Sequence, residues 1–176
     1  MNHEVKMLSS YKYHSTTSKP LCDADWQETR YSLKLDTYKH KNSAFWDWLL
    51  VTVFDDERNP ICQFVHNHRT LPQPIYTVQN GNEYIITSRD YRCISVYNIT
   101  KKTFTDYTYP DDDNEFVNNR TICPELYEWD ANTNTLTVTG SKWGGPEEIM
   151  ILEHIDLDNI DLTKPKWKDY YEYEGE

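Results

Sequence analysis

Glycine is scarce in this chain, five among 176 residues, and basic residues are outnumbered, 18 Lys and Arg against 29 Asp and Glu, for a formal charge of −11. That deficit argues against a nucleic-acid partner, because phosphate contacts draw on Lys and Arg. The nearest basic run, Lys34 to Lys41 with Lys39 and His40, is thin. The four cysteines (Cys22, Cys62, Cys93 and Cys123) form no CxxC pair, which argues against a closed zinc site. Cys62 and Cys93 sit in apolar runs, where a free thiol packs as a small hydrophobe, so reduced cysteines are expected. No long apolar run occurs, and the opening MNHEVKMLSSYKYHSTTSKP lacks the apolar segment of a secretory signal. No membrane partner is therefore expected, and the expected location is the cytoplasm. Nucleophile elbows, P-loops and dinucleotide fingerprints are also missing, so the sequence nominates no catalytic residue and no cofactor.

Aromatic residues are plentiful: six Trp, fourteen Tyr and five Phe. Disordered chains are poor in such residues, and a chain of this length buries roughly 70% of its unfolded surface, so one domain with an aromatic core is expected. The abundance of Asn, Lys, Tyr and Ile suggests an AT-rich genome, that of a large virus or a low-GC microbe.

Residues 1–24 are polar and without period, and read as a flexible leader. Beyond them the apolar period is two. Tyr31, Leu33 and Leu35 alternate with polar residues, WLLVTVFD (48–55) is a β-branched run, and CQFVH (62–66) follows a turn at 56–60. Asn80-Gly81 is a strong hairpin signal between IYTV and EYIITS. CISVYN and TFTDYTY follow, completing four short strands over 74–109. ELYEWD and LTVTGS make another hairpin, and EIMILEHIDL reads as a strand more readily than as a helix. The expected fold is all-β: antiparallel meanders, incomplete propeller-like or sandwich-like, with little helix and about ten strands. A single β domain over 25–165 divides into three repeat-like units, 26–67, 74–109 and 124–162, ahead of an acidic-aromatic tail at 166–176. Propellers close with about four blades or more, so three units imply an open stack, a sandwich, or a ring completed by another chain, including a second copy of this one.

The stretch Val138-Thr139-Gly140-Ser141-Lys142-Trp143-Gly144-Gly145-Pro146-Glu147-Glu148-Ile149, with the preceding NGNEYIITSRDYRCISVYN, resembles a pattern in uncharacterised WD40-like, propeller-type proteins. Ser141 and Gly145 stand where that pattern usually has cysteines, and the Gly-His…Trp-Asp signature is missing. The resemblance covers about residues 75–160 and implies an antiparallel meander, with no particular activity.

Several residues are candidates for binding. His66 and His68, two apart on a strand, would face one side and could share a metal, although a third ligand is not near in sequence. Asp111, Asp112 and Asp113 with Glu115, or Asp130 through Asn134, offer oxygen ligands, but neither completes a calcium loop and hairpin turns select Asx residues on their own. Phe45, Trp46 and Trp48 make a stacking platform if exposed and core if buried. Trp143 beside Gly144-Gly145 reads as a ring folded back on a sheet. The favoured function is a non-catalytic protein-interaction module using strand edges, Phe45–Trp48, Trp143 and the acidic 110–115 loop, with a protein as its partner. The alternatives are a hydrolase using carboxylates such as Asp111, Asp113 and Glu147, and an acidic inhibitor that mimics nucleic acid.

Overall fold

The computed structural model describes residue 8 and residues 11–40, 47–67, 71–90, 93–108, 123–141 and 147–169. These residues are nearly all β, with 70% strand and 1% helix. Twelve strands follow one another: β1 (Tyr11–Asp23), β2 (Glu28–His40), β3 (Asp47–Phe54), β4 (Pro60–His66), β5 (Ile75–Gln79), β6 (Asn82–Thr87), β7 (Cys93–Asn98), β8 (Thr103–Thr108), β9 (Cys123–Asp130), β10 (Thr135–Ser141), β11 (Glu147–Leu152) and β12 (Lys166–Asp169). No helix among the described residues is long and apolar enough to cross a membrane.

Each consecutive set of four strands is an antiparallel meander. The first two meanders join, in the order β4-β3-β2-β1-β5-β6-β7-β8, into one curled sheet; the third stands alone as β12-β11-β10-β9. The join is a short parallel pairing, Cys22 with Ile75 and Asp23 with Tyr76.

The β5–β8 meander is the middle layer, and its alternation feeds two cores. Ile75, Tyr84, Ile86, Ile94 and Val96 pack on Tyr127, Trp129, Leu136, Val138, Met150 and Leu152 of the third meander. Ile85 and Tyr97 point the other way, onto Leu21, Tyr31, Leu33, Val51, Val53 and Phe64 of the first. Every residue of β7 is buried as a result, which explains why CISVYN reads as a continuous apolar run.

Polar clamps join the layers. Gln79 donates from Nε2 to Asn134 Oδ1 and Ile155 O, each at 2.9 Å, and accepts from the Leu157 amide. Tyr97 donates to Ile61 O at 2.9 Å across the other core.

Two boundaries differ from the sequence reading. Residues 11–23 are not leader but a 13-residue strand paired along its length with β2. Only Leu21 of β1 is buried, so the strand carries no apolar alternation; backbone pairing holds it. The tail begins with another strand: Lys166–Asp169 pairs with β11, setting Trp167 opposite Met150. Adding β1 and β12 brings ten expected strands to twelve. Residues 153–163 form turns, and Leu157, Ile160 and Leu162 still reach the core.

Candidate functional site

The loop between β1 and β2 is built by one aspartate. Asp23 Oδ1 accepts the amides of Asp25 and Gln27 at 3.0 and 2.9 Å, while its carbonyl accepts Trp26 N and its amide donates to Gln27 O. The β3–β4 loop repeats this plan: Asp55 Oδ1 accepts Asn59 N, Asp55 O accepts Arg58 N, and Asp55 N donates to Asn59 O. The fourth residue of each loop has a left-handed backbone, φ 61° at Trp26 and 66° at Arg58. Asn or Gly ordinarily fills such a position, and a bulky side chain there is strained. Trp26 is also 61% exposed, so its ring gains little from packing.

Trp26 stands over an open cleft of about 340 Å3, where the end of β1 and the start of β5 approach β9. Among the described strands β9 lies at a sheet edge and pairs with β10, and it carries Pro124, a residue suited to an edge. Glu128 lies opposite Thr137 and Asp130 opposite Thr135 on the two strands, so both carboxylates and both hydroxyls share one face. Hydrogen bonds from the Thr133 hydroxyl and then the Asn132 amide hold the Asp130 carboxyl below the usual range. Trp129, 5% exposed, lines the cleft from the core side, and its Nε1–H has no acceptor among the described residues. Among the described residues no Lys, Arg or His lines the cleft. The nearby Lys19 ammonium donates to Gln73 Oε1 at 2.5 Å, and burial lowers its pKa.

Of the candidates nominated by sequence, Phe45, Trp46, His68, Asp111, Asp112, Asp113 and Trp143 lie outside the described residues. His66 is buried at 1% exposure, with Nδ1 2.8 Å from Ser88 O; a carbonyl only accepts, so Nδ1 carries a proton. Among the described residues no group of three His, Cys, Asp or Glu could hold a metal. Trp48 is half-buried on the outer face of the first meander, 5.2 Å from the Tyr11 ring, and packs against Leu8, Leu50 and Val65. Glu147 opens β11 in an exposed position opposite Ser141. The cysteines are free thiols, and burial pushes Cys62 up to about 12.

The sequence reading missed Trp26 altogether and weighed Asp130 as a hairpin-turn residue or part of an incomplete calcium loop. The available signal was the match between Asp-Ala-Asp-Trp-Gln (23–27) and Asp-Asp-Glu-Arg-Asn (55–59), two loops with Asp first and the left-handed residue fourth. Comparison with family models, with curated proteins and with solved structures found no match, so the functional argument rests on the cleft and the edge strand that borders it.

Proposed function

We propose that this protein is a non-catalytic protein-interaction module, related in plan to propeller-type repeats, that docks a partner through the β9 edge and the Trp26 cleft. The observation that carries the reading is Trp26 itself. A tryptophan held at φ 61° and 61% exposed costs the fold backbone strain and apolar exposure, and it returns almost no packing. A partner that covers the ring recovers that area. β9 borders it as the end strand of its sheet among the described residues, the kind of edge an extended segment can join by strand addition.

The meander plan supports the propeller-type relationship. Three four-stranded meanders follow one another; the first two curl as one sheet around a shared core, with their first strands β1 and β5 as parallel neighbours, and the third packs on the second. A carboxylate-pair hydrolase is less well served, because a general acid needs a raised pKa and Asp130 is held low.

Selection from a random peptide display library tests the reading. The intact protein should enrich a sequence motif, and Trp26→Gly, checked for folding by circular dichroism, should lose it. Enrichment that survives Trp26→Gly, or no enrichment by the intact protein, overturns the proposal.

A further inference from the structure

We propose that the cleft beside β9 receives a cationic side chain, arginine or lysine, from an extended segment of the protein partner. This rests on the interaction-module reading and adds the chemistry of the ligand. Asp23, Glu128 and Asp130 put three carboxylates on the lining, with no cation among its described residues. The nearby Lys19 ammonium is already engaged by Gln73. Glu128 makes no hydrogen bond or ion pair with any described residue, and it is exposed on the same face as Asp130. Asp130 is fixed in place by its own turn, one bond to each oxygen, and each oxygen keeps a second lone pair for a ligand donor.

A guanidinium or ammonium group satisfies these acceptors and offsets their mutual repulsion, whereas a neutral polyol would desolvate the carboxylates without neutralising them. The exposed indole of Trp26 adds a π face on which a cation stacks. A bare metal ion fits less well, since no three ligating groups converge among the described residues.

The test is a titration of the full chain, followed by the Trp26 indole and Glu128 amide resonances. Four probes are used: the peptide Ac-Gly-Gly-Arg-Gly-Gly-NH2, its lysine analogue, its citrulline analogue (isosteric but neutral) and methyl β-glucoside. The arginine or lysine peptide should shift both resonances, with affinity falling at high salt. The citrulline peptide should bind about tenfold more weakly, and Glu128→Gln, a near-isosteric surface change, should remove most of that preference. Equal binding of the arginine and citrulline peptides would overturn the cation preference and leave the docking reading standing. Binding of the glucoside alone would overturn both. No shift with any probe overturns the cationic ligand, and the display selection then decides the docking reading separately.

Discussion

Two residues in this chain stand where their neighbours dictate an unusual demand, and they answer it in opposite ways. Gly140 meets its demand. It sits at a register shift in the β9–β10 pair, and a Cβ there would lie 2.2 Å from the Cys123 carbonyl oxygen. Backbone cannot swing aside as a side chain can, so Gly140→Ala should destabilise the protein by roughly 1–3 kcal/mol, read as a lower urea midpoint. Trp26 defies its demand, with a large side chain where the backbone is left-handed. Trp26→Gly removes the strain and the exposed ring, and should raise stability by about 1 kcal/mol, at unchanged urea m-value, while abolishing peptide binding. A stabilising loss-of-function substitution is what a residue kept for contact should show. A fall in stability would mean that the ring packs in solution and has a structural task.

At the scale of strands and turns, legibility followed burial. The β5–β8 meander was readable because β6 and β7 at its centre are covered on both faces and its turns carry Asn80-Gly81 and Asn98. β1 was not readable, because seven of its thirteen residues are exposed and tolerate any side chain that water accepts; here Lys12, His14, Thr17 and Ser18 show no alternation. Asp130, weighed from sequence as a turn residue or part of an incomplete calcium loop, caps its own turn, the same task Asp23 and Asp55 perform. The cleft was invisible for a further reason: β1, β5 and β9 meet only in the folded chain. The 153–163 turns hold a prediction of their own. Asp158 accepts from Lys101 Nζ at 2.5 Å and Asn98 Nδ2 at 3.1 Å, tying the third meander to the β7–β8 turn. The Lys101 bond, ahead of the Asn98 bond, lowers its pKa. A carboxylate depressed in the folded state stabilises above its unfolded pKa of about 3.9, and the benefit is lost as pH falls through the folded value. Asp158→Asn should therefore lower stability at neutral pH and flatten the loss of stability below about pH 4, measured by urea unfolding across pH.

For the whole molecule, the decisive feature is that two cores share one sheet. Tyr84 projects from β6 into the core against the third meander, and Tyr97 projects from β7 into the core against the first. Burial, as the largest cause in each case, pushes both phenols up to about 12. Their raised values add stability that is complete below the unfolded pKa of about 10 and disappears as pH climbs through the folded value. Were the two cores independent, each tyrosine would ionise when its own half opened. The β5–β8 sheet denies that independence, because opening either side strips one face of the layer that the other side needs. Alkaline titration should accordingly show Tyr84 and Tyr97 ionising together in one step that coincides with loss of the far-ultraviolet β signal. Tyr84→Phe and Tyr97→Phe should each remove one phenolate from that step without splitting it. Leu33→Ala in one core and Leu136→Ala in the other should each move the step to lower pH, since either removes on the order of 2–5 kcal/mol from the same cooperative unit. Two separated steps, each shifted by only one of the leucine variants, would mean that the layers fold apart and that the middle sheet does not couple them.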